Sequence, residues 1–453
     1  MTDSHIPPAR NGSYPVRDGN LLTPLVDGDV AFARICAAVA AAKKSVWLTI
    51  AYLDPAFHMP DGRSLFDVLD QAQARGLDVR AIIWRTNNKE ELLFNGTEAE
   101  REWLGDRGSR FLIRWDRAHK YYCQHQKTWL IDAGAPDEVS FVGGINLDAA
   151  SVSPVGHAGR AVAQIHDVYC ELRGPCASDV HHNFVQRWNE ASERAREDGV
   201  WPDLKSQMQL EFPKAPSPAA GNTRVQIQRT VHAGMFTDGT AAPDAAPFEI
   251  AKGESSVFAQ YGAAIDAAKS SIYIEDQYIA APVIVAKLAA ALARGVDVIY
   301  LVPADPEMRV REARTKAEAK PFFDALAALG AFDNFLLAGI AAKGADGKLR
   351  NVYVHAKIML VDDAWGTIGS TNIATQSFYC DTEMNASFWD AAVARDLRTW
   401  LFAEHLATDT SAMDDRAALK TFREIARANV QARERGEEMQ GLAFALDPAA
   451  YGA

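Results

Sequence analysis

The sequence contains few cysteines, no excess of basic residues and no long apolar run. Its five cysteines are scattered and form no CxxC pair, so they indicate neither a disulfide framework nor a zinc site. They are Cys36, Cys123, Cys170, Cys176 and Cys380. The N-terminal residues lack the apolar stretch of a signal peptide, and no later run is long enough to span a bilayer. We therefore expect a cytoplasmic protein whose membrane contacts are peripheral.

Charge and length also limit the possibilities. The formal net charge of −12 gives no general attraction to a phosphate backbone, so nucleic acid is an unfavoured partner. With 48% hydrophobic and 23% charged residues, the composition is that of a soluble globular protein. A chain of 453 residues is too long for one ordinary hydrophobic core. We expect two or three packed units in a monomer.

The chain repeats itself once. FARICAAVAAAKKS at Phe32–Ser45 matches FAQYGAAIDAAKSS at Phe258–Ser271, and both are Ala-rich helical patterns. Each is followed by a β-branched and aromatic run, then by a further helix and a second matching pair, ARGLDVRAIIW and ARGVDVIYLVP. The order helix, strand, helix, strand in both halves predicts an α/β fold with helices packed on the faces of a sheet.

A Pro- and Ala-rich stretch, PKAPSPAAGN, lies between the halves. It predicts an N-terminal lobe at 1–212, a linker at 213–222 and a C-terminal lobe at 223–453. Mixed charge at helical spacing from Met413 to Met439 predicts a solvent-exposed helical tail to the second lobe.

Both halves carry the same polar motif within an apolar segment. YYCQHQKTWLID in the first half and VYVHAKIMLVDD in the second share the pattern HxKxxxxD, and each is followed by a glycine turn that ends in Asn, GGIN or GSTN. One such motif would be weak evidence, but two copies at the same place in an internal repeat are not accidental. The motif residues are His125, Lys127 and Asp132, and His355, Lys357 and Asp362.

The strand period predicts the geometry of each motif. Residues i and i+2 point to one face, so the His and Lys project together, and we expect Asn146 and Asn372 on the neighbouring strands. Each half then offers an imidazole, an ammonium and a carboxamide, which suit an oxyanion. Cleavage of a phosphodiester needs positive charge, a nucleophile and a proton for the leaving alkoxide. One neutral and one protonated histidine can supply the last two, and the residues alone leave open which histidine attacks.

These motifs resemble the phospholipase D superfamily, whose signature is a duplicated HxKxxxxD with a trailing GSxN. HDVYCELRGPCASDVHHNFVQRWNE at 166–190 and IYIEDQYI at 272–279 are similar to blocks of its eukaryotic-like members. The resemblance implies two similar α/β lobes, each a central mixed sheet flanked by helices, with one active site at their interface. It implies no cofactor and no metal.

The resemblance also implies a role for each residue. It makes His125 the nucleophile that forms a phosphohistidine and His355 the general acid. The family places a carboxylate behind each histidine, and we expect Asp167 to orient His125 and Glu383 to orient His355. The expected phosphate-binding residues are Lys127, Lys357, Asn146 and Asn372, with turn or phosphate contacts from Ser370 and from Gly144, which replaces the serine in the first half. Structural hydrogen-bonding roles are expected for Asp132 and Asp362.

The predicted function is that of a phospholipase D acting on a glycerophospholipid at a membrane or micelle surface. It would release phosphatidic acid and the head-group alcohol, or transfer the phosphatidyl group to a primary alcohol instead of water. The alternatives are a nuclease or nucleotide phosphodiesterase, a phosphatidyltransferase similar to cardiolipin or phosphatidylserine synthases, and an inactive lipid-binding scaffold. One departure concerns a cation: the Asn-Asp-Arg-Ser run of eukaryotic-like members is replaced here by Ala-Thr-Gln-Ser at 374–377.

Overall fold

The computed structural model describes residues 4–86, 93–118, 122–159, 163–193, 200–201 and 209–453. The strands within these ranges are β1 (Arg17–Val26), β2 (Ser45–Ile50), β3 (Asp78–Trp84), β4 (Leu112–Asp116), β5 (Thr128–Ile131), β6 (Val139–Gly143), β7 (Ile165–His166), β8 (Val168–Arg173), β9 (Val200–Trp201), β10 (Thr223–Val231), β11 (Glu254–Ser255), β12 (Ser271–Asp276), β13 (Asp297–Leu301), β14 (Phe335–Lys343), β15 (Leu349–Val354), β16 (Lys357–Val361), β17 (Trp365–Gly369), β18 (Glu383–Trp389) and β19 (Ala443–Leu446). The α-helices are α1 (Gly28–Ala41), α2 (Leu65–Ala74), α3 (Glu98–Asp106), α4 (Ala177–Glu190), α5 (Ser256–Ala267), α6 (Pro282–Ala293), α7 (Met308–Arg314), α8 (Lys320–Leu329), α9 (Thr375–Tyr379), α10 (Ala391–Leu406) and α11 (Asp415–Glu434).

The two lobes contain the same sheet. The first lobe, β1–β9, has the strand order β1-β8-β6-β5-β2-β3-β4, and the second lobe, β10–β19, has the order β10-β18-β17-β16-β12-β13-β14. In each, the last three strands run parallel and the other pairs antiparallel, and β1 pairs with β10 to join the lobes. The predicted α/β fold with two similar mixed sheets is confirmed.

The repeated Ala-rich segments form equivalent helices. In α1 the buried residues include Phe32, Ile35 and Val39, which recur at helical spacing and therefore form one apolar stripe against the sheet. In α5 Tyr261 and Ile265 belong to the equivalent stripe. The small alanines between them let each helix pack closely on its sheet, which fixes the strands that follow it.

The ends of the chain pack on the second lobe. The N–H of Ala9 donates to Gln260 at 2.7 Å, so the N-terminal arm contacts the second lobe although the sequence assigned it to the first. Helix α11 buries Leu419 and Phe422 while its other face is exposed, so the predicted C-terminal tail is a packed amphipathic helix. Residues 213–222 contain no helix or strand, and the division of the chain there remains a proposal. Among the described helices, none combines the length and apolar character that crossing a membrane requires.

Candidate active site

Each HxK motif lies at the beginning of a strand, β5 in the first lobe and β16 in the second. In the second lobe β15 ends at Val354 and β16 begins at Lys357, and the N–H groups of His355 and Ala356 between them both donate to the carbonyl of His166, at 2.8 and 3.1 Å. The alternating apolar pattern suggested one continuous strand, and that expectation is wrong. The chain changes partners at the motif, from β14 to β12 and β17, and the interruption turns the histidine toward the other lobe.

Backbone contacts at the motifs join the two lobes in both directions. Val354 pairs with His166 in a parallel bridge, and Gln124 pairs in the same way with Thr382. The N–H of His125 donates to the carbonyl of Thr382 at 2.9 Å. Each motif therefore lies against the segment that carries the acidic residue of the opposite lobe.

As a result, each histidine pairs with a carboxylate from the opposite lobe. His125 Nδ1 lies 2.9 Å from Glu383 Oε2, and His355 Nδ1 lies 2.6 Å from Asp167 Oδ2. The predicted pairing, Asp167 with His125 and Glu383 with His355, is wrong. Both carboxylates are in the site, but each lies behind the histidine of the other lobe. A carboxylate on Nδ1 fixes the tautomer and leaves Nε2 for chemistry.

The first motif has Gly144 where the second has Ser370, and each residue suits the carboxylate beside it. A Cβ at Gly144 would lie 2.4 Å from Asp167 Oδ1, so only glycine leaves room for that carboxylate. At the equivalent position Ser370 Oγ donates to Glu383 Oε2 at 2.5 Å and accepts from the N–H of Met384 at 3.1 Å. Both positions thus contact the carboxylate behind the histidine, and the turn or phosphate contacts expected for Ser370 and Gly144 stay a prediction.

The two motif lysines are buried and close enough to affect each other. Lys127 Nζ donates to the carbonyl of His125 at 3.0 Å, and Lys357 Nζ donates to the carbonyl of His355 and to Gln277 Oε1, the latter at 3.3 Å. Burial lowers the pKa of Lys127 to about 8, and burial also lowers the pKa of Lys357. The Lys357 ammonium further lowers the pKa of Lys127, so two positive charges lie close together and favour a bound anion.

Burial controls the charge of the histidine–carboxylate pairs. Burial and Lys127 lower the pKa of His125 well below its ordinary value, and burial and Lys357 do the same to His355. Burial raises the pKa of Glu383 to about 8 and that of Asp167 to about 7. Near neutral pH both imidazoles are therefore neutral in the absence of a ligand, and each pair can hold one proton.

The two histidines open into a shared cavity of about 700 Å³ at the lobe interface. Asn146 and Asn372 line it as well, and Tyr52 places its ring edge-on to His125 with the centroids 6.0 Å apart. The Oδ1 atoms of both asparagines are buried without a hydrogen-bond partner among the described residues, so the carboxamides have capacity for a ligand.

The last residue of each motif holds a loop. The carboxylate of Asp132 accepts from the N–H groups of Lys43, Lys44 and Ser45 at 2.6 to 3.1 Å. Asp362 accepts in the same way from the three N–H groups of Lys269, Ser270 and Ser271, each at 2.8 Å. These bonds fix the loops that lead into β2 and β12, in agreement with the structural role expected for the two aspartates.

Sequence reasoning missed a buried imidazole that bridges the lobes. His166 Nδ1 lies 2.9 Å from Asp27 in the first lobe, and Nε2 lies 2.9 Å from Glu275 in the second. Despite its burial, these carboxylates raise the pKa of His166 well above its ordinary value. The signal was present in the sequence, because Glu275 interrupts an apolar strand and His166 directly precedes Asp167.

Within the described ranges, two side-chain clusters have a composition that could hold a metal ion, and both include this histidine. They are Asp27, His157, His166 and Glu404, and His166, Glu275 and His405. The 2.9 Å contacts of His166 and the 3.0 Å contact between His405 and Glu275 are hydrogen-bond distances. Carboxylates paired with an imidazolium account for these contacts without an ion.

Arg309 is a second site residue that the sequence did not indicate. It lines the catalytic cavity together with Gln376, which occupies the position of the arginine in the Asn-Asp-Arg-Ser run. Its guanidinium stacks on the Tyr278 ring, 4.0 Å from the centroid, and its Nε pairs with Glu307 at 2.9 Å. A cation therefore reaches the cavity from α7 instead of from the second motif.

Comparison with known proteins gives two matching family models. One, described as cardiolipin synthase, PLD-like domain, matches residues 35–164 and 261–405, which is more than half of the chain. The other, described as phospholipase D, matches residues 149–284.

Several curated proteins are similar in sequence. Cardiolipin synthase of Listeria monocytogenes is 25% identical over 395 residues, covering 84% of this chain and 69% of that protein. Cardiolipin synthase 1 of Staphylococcus epidermidis is 24% identical over 277 residues, covering 60% of this chain but only 45% of that protein. Phospholipase D alpha 2 of Oryza sativa is 26% identical over 228 residues, covering 41% of this chain and 28% of that protein.

A solved structure shares the fold. The crystal structure of phosphatidylserine synthase from Haemophilus influenzae Rd KW20 superposes with a TM-score of 0.57 at 13% identity, covering 94% of this chain and 97% of that one.

Proposed function

The chain belongs to the phospholipase D superfamily, and on that premise we propose that it is a phosphatidyltransferase. It takes the phosphatidyl group of a glycerophospholipid onto a histidine and passes it to an alcohol. The observation that carries the proposal is the meeting of two crossed histidine–carboxylate pairs at one cavity, with a buried lysine beside each histidine.

In the first step a neutral imidazole attacks phosphorus. We assign His125 as the nucleophile, following the superfamily resemblance, because both histidines have the same kind of partner on Nδ1. A bond forms between His125 Nε2 and phosphorus, and the bond from phosphorus to the head-group oxygen breaks. The imidazolium that forms is stabilised by Glu383 on Nδ1. Lys127 and Lys357 neutralise charge on the non-bridging oxygens.

The leaving oxygen takes a proton from His355. Because burial raises the pKa of Asp167 to about 7, the His355–Asp167 pair holds a proton near neutral pH. A phosphodiester anion in the cavity offsets the lysine charges that lower the pKa of His355, and so favours the imidazolium. The head group leaves as a neutral alcohol, and His355 becomes neutral.

The second step reverses the roles. Neutral His355 takes the proton of an acceptor hydroxyl, whose oxygen attacks phosphorus while the bond to His125 Nε2 breaks. An alcohol acceptor gives a new phospholipid, and water gives phosphatidic acid, the hydrolytic outcome predicted from the sequence. The cardiolipin synthases among the relatives support the alcohol, and the rice phospholipase D supports water as the second candidate.

A phospholipid substrate is favoured over nucleic acid by charge and by the relatives. The net charge of −12 offers no general attraction to a polyanion, and the relatives named above are phospholipid enzymes by title. The cavity supplies the local cations that a single phosphodiester needs, so a lipid head group can be held without a basic surface.

The test compares three substrates with the same enzyme preparation. Phosphatidylglycerol vesicles report transfer to a lipid hydroxyl as cardiolipin plus glycerol. Phosphatidylcholine vesicles with ethanol report transfer as phosphatidylethanol and hydrolysis as phosphatidic acid. A short DNA reports nuclease activity. We expect cardiolipin or phosphatidylethanol as the main product.

His125→Asn and His355→Asn are the variants expected to be inactive. His58→Asn is the matched control, because His58 is exposed and lies outside the site. Loss of the lipid product in the first two variants with retention in the control supports the proposal. Phosphatidic acid as the sole product would make the protein a hydrolase. DNA cleavage without lipid turnover, or no lipid turnover at all, would refute the lipid substrate.

A further inference from the structure

A second cavity of about 380 Å³ lies beside the catalytic cavity. Its walls come from the segment after β12, from α7, from α8, from residues 374–376 and from Tyr451, and apolar side chains predominate. The side chains that matter below are Ile279, Val310, Ala313, Phe322 and Phe323. Four residues line both cavities, namely Tyr278, Arg309, Ala374 and Gln376. The second cavity, called the apolar groove here, therefore continues directly from the catalytic one.

Two apolar side chains next in sequence to residues of the apolar groove are exposed to solvent. Met308, which lines the catalytic cavity, is 73% exposed, and Val283, next to a groove residue in α6, is 51% exposed. Helix α7 has no buried residue. Large apolar side chains held in water beside an apolar groove mark a surface that is covered when a ligand binds.

Within the apolar groove, charge is confined to the wall that it shares with the catalytic cavity. Arg309 is the one charged residue among the described residues that line the apolar groove, and it lies on the shared wall. The catalytic cavity contains the two imidazoles together with Glu307 and Asp381, and beyond the shared wall with Arg309 the side chains are mainly apolar. A nucleoside or a sugar would leave its polar groups unpaired in such a groove, whereas a hydrocarbon chain has none to pair.

We propose that the apolar groove binds one acyl chain of the phospholipid whose phosphodiester lies between His125 and His355. The inference rests on the proposed function, and it adds where the diacyl part of the substrate lies. Arg309 is placed beside the ester region between phosphate and chain. Met308 and Val283 then face the lipid surface from which the substrate is drawn.

The test uses binding instead of turnover, so that it does not depend on the reaction. Inorganic phosphate and butyl, hexyl and octyl phosphate are titrated into the enzyme in a calorimeter. In the wild type the affinity should rise with chain length, by up to about fourfold for each added methylene. Ala313→Trp fills the apolar groove and should abolish the rise while leaving the affinity for inorganic phosphate unchanged.

Ala317→Trp is the matched control, because Ala317 is exposed nearby and does not line the groove. It should keep the wild-type dependence on chain length. Phe322→Gln, which adds a polar group to the wall, should reduce the dependence without filling the groove. A wild type indifferent to chain length, or an Ala313→Trp variant with the full dependence, would overturn the inference. If chain length matters but no lipid is turned over, the proposed reaction fails and the groove stands.

Discussion

The two lobes build the same half-site from equivalent strands but surround its lysine differently. Because β2 pairs with β5 as β12 pairs with β16, the polar stretch Glu275–Gln277 of the second lobe replaces Thr49–Ala51 of the first. Asp276 lies opposite Lys357 in the sheet register, and Gln277 accepts from its ammonium. Lys127 instead has the face of the Tyr52 ring 5.7 Å away. The two motifs share one pattern, but the positive charge of Lys357 has more polar neighbours to compensate it than that of Lys127.

The largest expected effect separates the two histidines. Both His125→Asn and His355→Asn should lower phosphatidyl transfer by roughly four to six orders of magnitude. A p-nitrophenyl phosphodiester needs no acid for its leaving group, so His355→Asn should still release a burst of nitrophenolate and retain a covalent phosphoryl group, detected by mass spectrometry. His125→Asn should give neither. A burst in His125→Asn alone would assign the nucleophile to the other lobe.

The next effect tests the crossing of the carboxylates. Glu383→Gln and Asp167→Asn should each lower transfer by about 10²–10⁴-fold, as expected when the group that orients a catalytic imidazole is lost. With the nitrophenyl substrate, Glu383→Gln should slow the burst because it acts on the nucleophile, and Asp167→Asn should leave the burst largely intact. The opposite result would restore the pairing within each lobe. Glu171→Gln is the control, because Glu171 pairs with Arg34 away from the site.

A third comparison concerns the residues before the two carboxylates, His166 and Thr382. His166→Thr strands two buried carboxylates and should lower the free energy of unfolding by about 3–5 kcal/mol. Thr382→Val removes one hydrogen bond, to Gln124, and should cost about 1 kcal/mol. Urea denaturation measures both. If the two variants lost similar amounts of unfolding free energy, His166 would not be a charged bridge between the two carboxylates.

The stabilisation of the folded protein by His166 should depend on pH. The pKa of His166 is raised above its ordinary value of 6.5 in the folded protein. Its stabilisation is therefore fully present below pH 6.5 and is lost as the pH rises through the folded value. The gap in unfolding free energy between wild type and His166→Thr should narrow at high pH.

The lysines give a smaller effect, on the pH profile. Loss of the proton of the His355–Asp167 pair should lower kcat/KM about tenfold per pH unit above about pH 7, and loss of the Lys127 ammonium should steepen the fall above its pKa of about 8. Lys127→Arg keeps the positive charge, so it should remove the steeper part and leave the fall that begins near pH 7. Lys357→Arg, on the better compensated side, should leave both parts in place. A steeper part that persists in Lys127→Arg would show that Lys127 is not the group that causes it.

The smallest effect is expected at the Gly–Ser difference. Ser370→Gly removes a hydrogen bond to a carboxylate and should lower transfer by roughly tenfold. Gly144→Ala should cost more, because the new Cβ would displace Asp167. If both variants lowered transfer equally, the surroundings of Asp167 and Glu383 would constrain the two carboxylates to the same extent. Steady-state kinetics on phosphatidylglycerol distinguishes these outcomes.

Sequence reasoning predicted the parts that depend on local pattern. The repeated helix and strand patterns gave the two mixed sheets, because apolar periodicity reports which face of an element is buried. The duplicated motifs led to the expectation of a common site, and His125, His355, Asn146 and Asn372 do line one cavity. The asparagines were expected on the neighbouring strands, but they lie just beyond the ends of β6 and β17.

The parts that were missed depend on contacts between distant segments. Spacing along the chain cannot tell whether Asp167 lies behind His125 or behind His355, since that depends on how the lobes are packed together. The break in the motif strand has the same origin, because it follows from the contact of His355 with the carbonyl of His166. Arg309 could not be predicted as a site residue for a similar reason, because it reaches the cavity from α7, a helix that carries no recognisable motif.

The crossed carboxylates have a consequence for how such a chain can arise. Each lobe supplies the carboxylate for the histidine of the other, which is the reciprocal exchange seen between the subunits of a symmetric dimer. A half chain would contain a histidine and a carboxylate that cannot reach each other, and could assemble a catalytic pair only against a second copy. The chain thus has the layout of a fused dimer, and a single chain can combine Asp with Gly in one lobe and Glu with Ser in the other.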